Sequence, residues 1–489
     1  ENCVNFHING IDFDYKISPT VAGKVVSTDS TLRTVGILID DEFDMTNYRY
    51  NGGKVNFGNY MEYYYDAENQ AYVPDVNGML RYNSTGDSVK SLMNGVYDTA
   101  TKILTLELNT TQGAFNAPAV DTMVSVGYTM YEYTGFYIKG CQDFYMENCN
   151  IYTTPGMAIT CYSDKNLYFN RTNIMLRPGS KRLMTATADG LHTIDCYGDL
   201  IVTNSIYEAS HDDAMNICTF YFKIDEFFRN TLKCTATTTE VRIPINAGDT
   251  IEIYDKDTMQ LLYTRQVLEA NAYGITFELV LDKNIPTAIN ISNYLVANAT
   301  RVPRLKVSNC IIRNKRNRGI LAQVQDSEIS NCSFVNVVHG PLMIHSAQDV
   351  FSEAIVPRDI VIKNCKFLYN NSARGLNGDV AAFRHGGTLA AGTITGIKVE
   401  NNFFYKSSYS GVYLCATGES EIKNNLFYDI CTRTTPDSAY HTAASIYRSS
   451  GTNVQDNYVY MTQSLSGVKT VNNWEDINTV QSGNSGHNI

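Results

Sequence analysis

The sequence predicts an all-β protein built as a parallel β-helix, a solenoid, with two antiparallel β-barrel-like domains inserted into it. Three observations predict it. A short Asn-centred motif recurs along the chain. The residues around each copy alternate between polar and β-branched or aromatic types. Two long stretches lack the motif and read as hairpins instead.

The motif is "ENCNI" at 147–151, "SNCII" at 308–312, "SNCSF" at 330–334 and "KNCKF" at 363–367. "ENNFF" at 400–404 and "KNNLF" at 423–427 continue it, and "TNSIY" at 203–207 is a looser copy. The aligned residues are Asn148, Asn204, Asn309, Asn331, Asn364, Asn401 and Asn424, with successive gaps from Asn309 of 22, 33, 37 and 23 residues. One coil of 22–23 residues, with loop insertions, accounts for all four gaps. Alternation in "RDIVIKNCKFLYN" and "TGIKVENNFFYKS" has the period of a strand, not of a helix. Asn tolerates a left-handed turn, and stacked Asn amides can bond to each other up a column.

Taken in order, residues 1–18 ("ENCVNF…") read as a first coil and residues 19–128 as a first inserted barrel. Residues 129–218 return to the solenoid and carry the candidate site. Residues 219–303 form a second inserted barrel, and residues 304–489 the remaining coils. The inserts show hairpin patterns such as "AGDTIEIYDKDTMQLLYTRQVLEA", polar turns joining alternating runs. No amphipathic helix precedes the first coil, so a loop or a removed cap is expected to shield that edge.

A formal charge of -11 over 489 residues excludes a nucleic-acid backbone as partner, which would need a basic face. No apolar run reaches the ~18 residues of a membrane span. The chain opens at Glu1 without a signal-peptide pattern, and a processed product is expected. Of the 12 Cys, several occupy the repeat position and none forms a Cys-x-x-Cys pair. Buried free thiols are therefore expected rather than a disulfide framework or a structural zinc site.

The candidate chemistry lies in "TATADGLHTIDCYGDLIVTNSIYEASHDDAMNI" at 185–217. Asp212 follows Asp189 by 23 residues, one coil, so the two are expected to stack on neighbouring rungs with Asp213 beside them. Three carboxylates in one patch repel, and at least one must hold a proton more tightly. An acid beside a base is what glycoside hydrolysis requires. Asp-Gly and Asp-Asp are also ordinary turn pairs. A metal site from Asp189, His192, His211, Asp212 and Asp213 is the other reading of the same residues.

The segments "YTGFYIKGCQDFYMENCNIYTTPGMAITC" and "GSKRLMTATADGLHTIDCYGDLIVTNSIYEASHDDAMNI" resemble glycoside hydrolase family 110, the exo-acting α-1,3-galactosidases. So do "NRGILAQVQDSEISNCSF" at 317–334 and "FSEAIVPRDIVIKNCKF" at 351–367. The resemblance implies a right-handed parallel β-helix with barrel insertions. It also implies hydrolysis of terminal α-1,3-linked galactose from oligosaccharides or glycans with inversion, and no cofactor. It assigns Asp189, Asp212 and Asp213 as catalytic, and Arg182, His192, His211, Arg318, Gln323 and Glu353 to the substrate, with no metal ligand. His211 and Gly190 depart from the family's pattern, which bears on the substrate more than on the chemistry. A secreted or periplasmic setting and a galactose-terminated partner follow from the same resemblance, and a homo-oligomer is compatible with it.

Three other readings compete. A polygalacturonase-like hydrolase would share the Asp arrangement, but "VVHGPLM" at 337–343 lacks the Gly before His339, and "RNKRNRG" at 313–319 is only a basic run. A non-catalytic glycan-binding solenoid, of tailspike or adhesin type, would use aromatic faces, and 34 Tyr against a lone Trp474 suits it. A pectate-lyase type would need a calcium carboxylate cluster, which the sequence does not arrange.

Overall fold

The protein is described from a computed structural model covering residues 1–50, 54–57, 61–66, 71–72, 93–107, 118–129, 131–236, 245–286, 291–346, 351–372, 377–384, 390–433, 440–462, 469–474 and 480–488. Its spine is a right-handed parallel β-helix. Each coil contributes strands to three faces, and equivalent strands of successive coils pair in parallel. One face runs from Phe136–Lys139 through Ile159–Tyr162, Leu191–Ile194, Met215–Phe228, Ile320–Ala322 and Leu342–Ser346 toward Lys469–Trp474. The other two faces make up a single 21-stranded sheet.

The repeat residues explain why the coil closes. All seven aligned Asn residues sit at φ between 51° and 56°, the left-handed conformation that Asn adopts more readily than most side chains. The chain turns there from one face to the next. The amide ladder, however, stands one residue later than expected. Asn402 donates to Asn425, Asn425 to Asn457 and Asn457 to Asn484, at 3.1, 2.9 and 3.1 Å. In the middle coils that inward position holds Cys310, Cys332 and Cys365 instead, and the Cys365 backbone N–H donates to Asn402 at 2.8 Å. All twelve cysteines are free, and all but Cys3 are buried. Between the faces, side chains stack in columns: Phe334, Phe367, Phe404 and Phe427 follow one another at ring separations of 4.9, 4.7 and 4.7 Å. That is the interstrand spacing of a sheet carried into the core.

Two antiparallel elements interrupt this spine. The chain leaves after the first coil, whose strand Val4–Asn9 pairs in parallel with Gln142–Thr153. Strands between Thr20 and Gly127 then form a nine-stranded antiparallel sheet, whose order stays open among the described residues. Leu183 and Val338, from solenoid loops, complete the core of this element. The second element has no clean boundary. Met215–Phe228 is one 14-residue strand that starts in the solenoid and ends in the insert. From it the order runs through Thr231–Ala236, Thr276–Leu281, Leu261–Tyr273, Thr250–Asp255 and Tyr294–Asn298 and back to its start, a closed six-stranded barrel. Glu252, on the outer side of a barrel strand whose Ile251 and Ile253 fill the barrel core, pairs with Arg358 of the solenoid at 2.7 Å, which fixes the insert to the coils beyond it. Along Val4–Asn9 no described strand covers the outer side, and Val4 is 70% exposed.

Candidate active site

Asp189, Asp212 and Asp213 lie in the loops that lead into Leu191–Ile194 and Met215–Phe228. Leu191 is in register with Met215, and the Gly190 N–H donates to the Asp213 carbonyl at 2.9 Å. Asp213 therefore stands over Asp189, 24 residues away, and its N–H donates to Asp189 Oδ1 at 3.0 Å. This corrects the expected pairing of Asp189 with Asp212: the coil here is longer than the shorter coils from which the repeat was read. Asp212 lies alongside, over Ala188, whose carbonyl accepts from the Asp212 N–H at 3.2 Å. One oxygen of each of the three carboxylates lies within 4.8 Å of the other two. Gly190 permits the stacking, because a Cβ there would stand 2.6 Å from the Ala214 carbonyl oxygen.

The cluster is tolerable because the next rung is basic. The second barrel leaves and rejoins the solenoid at this coil, so residues 105 apart become neighbours. Lys315 donates to the Ser210 carbonyl at 2.8 Å and also to Ser210 Oγ and the Asp212 carbonyl. Arg316 donates to the His211 carbonyl at 3.3 Å, and Asn317 donates to the Asp212 carboxylate. Arg318 Nε donates to Asp213 Oδ1 at 2.7 Å, with Nη2 3.8 Å from Asp212. From the segment leaving the first insert, the Tyr131 hydroxyl donates to Asp212 Oδ2.

These partners split the carboxylates. Burial lifts the Asp213 carboxyl well above the ordinary range, with Arg318 opposing and the charges of Asp212 and Asp189 adding to the rise. Burial would also raise Asp212, but Arg318, the Tyr131 hydroxyl, His211 and Arg316 outweigh it and hold that carboxyl below the usual range. The side chain of Asp212 is 24% exposed and that of Asp213 1%. The two carboxyls are thus pushed in opposite directions, the buried member toward its protonated form and the accessible member toward its ionised form. Lys315, with no exposed surface, is brought down to about 8 by its burial against the opposing charges of Asp213, Asp189 and Asp212.

Around the trio, His192 Nδ1 meets Asp189 Oδ2 at 2.6 Å. Gln323 and Asn216 donate to the two oxygens of Glu353 at 3.0 and 3.2 Å. His192, Gln323, Glu353 and Arg318 therefore border the acidic cluster. His211 lies behind it, buried against Arg316. Arg182 does not join: it pairs with Asp14 at 2.5 Å and with Glu42 at 3.4 Å, bridging the first coil to the first insert. Two groups of side chains among the described residues have the spacing to hold a cation, the three Asp and the set His192, Cys218 and Glu353. In the first, Arg318 already supplies a positive charge to two of the members. Sequence reasoning missed Tyr131, Asn216, Lys315 and Asn317. The run "KRNR" at 315–318 becomes legible only when the 219–303 insert is set aside and the run is laid over "SHDD" at 210–213.

Residues 294–483 match the family described as "Right handed beta helix region". An α-1,3-galactosidase B of Bacteroides thetaiotaomicron is 24% identical over 256 residues, 52% of this chain and 42% of its own. The α-1,3-galactosidase A of Bacteroides fragilis is 23% identical over 331 residues, 64% of this chain and 54% of its own. That of Akkermansia muciniphila is 24% identical over 298 residues, 60% and 49% respectively. The chain is thus similar in sequence to proteins named α-1,3-galactosidase. It spans about half the length of the curated relatives it matches. A solved structure named "Glycoside hydrolase" aligns over 95% of this chain and 74% of its own, at 10% identity and a TM-score of 0.37.

Proposed function

We propose that this chain is an exo-acting glycoside hydrolase that removes terminal α-1,3-linked galactose from oligosaccharides or glycans by a single, inverting displacement. The observation that carries the reading is the acidic trio set under a matched basic rung, next to homology with α-1,3-galactosidases. Glycosidic cleavage needs one carboxylic acid and one carboxylate in the same patch, and the opposite shifts of Asp213 and Asp212 favour that division.

The two titrate as a pair with one proton between them. A sugar covering Asp212 removes its water, which draws the proton from Asp213 toward Asp212. Asp212 then protonates the leaving oxygen. Asp213, deprotonated, and Asp189 hold and activate the water. Arg318 keeps the charge balance throughout. Tyr131 on Asp212 and Glu353 beside His192 are further groups that a terminal sugar over the trio would meet. Glu353 and the amides of Asn216 and Gln323 are the acceptors and donors available to its hydroxyls.

One observation favours a second reading. Carboxylate oxygens within 4.8 Å are closer than the ~6.5–9.5 Å usual for an inverting pair and nearer to a retaining one. Proton NMR of the first-formed sugar separates them. Inversion yields β-galactose first, and α-galactose as the initial product rejects single displacement. A release assay on α-1,3-, α-1,4- and α-1,6-galactosides and on oligogalacturonate tests the substrate. Cleavage of oligogalacturonate alone defeats the galactosidase reading.

A further inference from the structure

A second constellation adjoins the trio. His192 and Asn216 are neighbours in register on the outer face of their strands, and Cys218, two residues after Asn216, faces the same side. Glu353 reaches them from Glu353–Ala354, which pairs antiparallel with Thr219 and Phe220. A nitrogen of His192, the sulfur of Cys218 and an oxygen of Glu353 all lie within 4.8 Å of one another. Imidazole, thiol and carboxylate are the ligand types zinc takes, and the thiol disfavours calcium or magnesium.

The surroundings have the form of a metal site's outer shell. Asp189 holds His192 by Nδ1 at 2.6 Å, as carboxylates do behind metal-binding imidazoles, and leaves Nε2 to bind. Both Glu353 oxygens are oriented by amide N–H groups, from Gln323 at 3.0 Å and Asn216 at 3.2 Å. Those amides are 1% and 6% exposed, and their oxygens, Gln323 Oε1 and Asn216 Oδ1, have no hydrogen-bond partner. Two buried acceptors without donors are costly unless something polar is bound beside them. The hydrated shell of an ion supplies such donors.

We propose that His192, Cys218 and Glu353 bind a zinc-class divalent cation, and that an ion bound there blocks the active site. Binding breaks the Cys218 S–H bond, forms a zinc–sulfur bond and sends the proton to solvent, with no change of oxidation state. The ion occupies Glu353 and His192, which the sugar would otherwise meet. That inhibitory consequence rests on the hydrolase reading; the site itself does not.

The test is calorimetric titration of the purified chain with ZnCl2, repeated in buffers of different ionisation enthalpy to count the released proton. Wild type is expected to bind one ion with proton release, and Cys218→Ser to bind at least tenfold more weakly. Cys218→Ala serves as a second variant if serine disturbs the buried site. Hydrolysis should be inhibited by zinc at the binding midpoint in wild type and resist it in both variants. Equal zinc affinity in wild type and both variants overturns the proposal, as does absence of binding. Cys218-dependent binding in a chain that cleaves no galactoside upholds the site and defeats the hydrolase reading.

Discussion

Lys315 is the side chain on which the acidic loop depends, and replacing it gives the sharpest check on this account of the site. It has no exposed surface and all its donors go to the loop at 210–212. In Lys315→Met the stem is preserved while the carbonyls of Ser210 and Asp212 lose their donor. Buried acceptors left unpaired cost roughly 1–3 kcal/mol each, and removing one partner of a buried charge cluster costs about 3–5 kcal/mol. The variant should be destabilised by that order. It also strips a positive charge from beside Asp212 and Asp213, which makes their carboxyls easier to protonate. The acid limb of the kcat/KM profile should move to higher pH.

The wild-type alkaline side tests the same group independently. Lys315 releases its proton near pH 8, and activity should fall above it as the compensating charge disappears. Stability should move the other way. The folded value of about 8 lies below the ordinary 10.5, so the unfolded chain holds more protons in that window. This group's contribution to stability therefore rises from about pH 8 to pH 10.5, by up to about 3 kcal/mol. Lys315→Arg, which stays charged, should shift the alkaline limb upward. pH–rate profiles of the three proteins, with urea melts at pH 7.5 and pH 10, make the comparison. A Lys315→Met profile that keeps both limbs in place and only loses amplitude would refute the electrostatic role.

Three further outcomes are expected. Asp212→Asn should lose about 10²–10⁴-fold in kcat while keeping galactose affinity by calorimetry, whereas a lectin-like solenoid would scarcely change in either assay. Asp379, fully buried and pushed up to about 7 by its burial with hydrogen bonds from Ser407 and Asn370 partly offsetting it, stabilises best below about pH 4 and loses that contribution as pH rises through 7. Asp379→Asn should flatten the stability difference between pH 4 and pH 8 by up to about 4 kcal/mol in denaturant titrations. Gly190→Ala forces a Cβ to 2.6 Å from the Ala214 carbonyl, so a loss of roughly 1–3 kcal/mol with a larger loss of activity is expected, read by melts and turnover together.

The fold was legible because the solenoid repeats itself: one Asn per coil at a left-handed turn marks Asn309, Asn331, Asn364, Asn401 and Asn424, and each takes that conformation. The ladder's exact column was not, since an amide and a thiol both satisfy an inward-facing small position, and only coordinates show Asn402, Asn425 and Asn457 continuing as amides the column that Cys310, Cys332 and Cys365 hold as thiols. Proximity of the three Asp residues was readable from chain spacing, but register was not: a coil one residue longer exchanges Asp212 for Asp213 over Asp189. Arg182 misled because a local motif cannot say which way a long side chain turns, and Asp14, distant in sequence, holds it. The basic rung was hidden for a topological reason. A closed barrel that leaves and returns on one strand adds length to the chain without adding a coil, so Arg318 and Asp213 are one rung apart and 105 residues apart at once. Chain distance in an interrupted solenoid therefore measures coils only after closed insertions are removed, and the charges facing an acidic turn must be sought beyond the insertion rather than beside it.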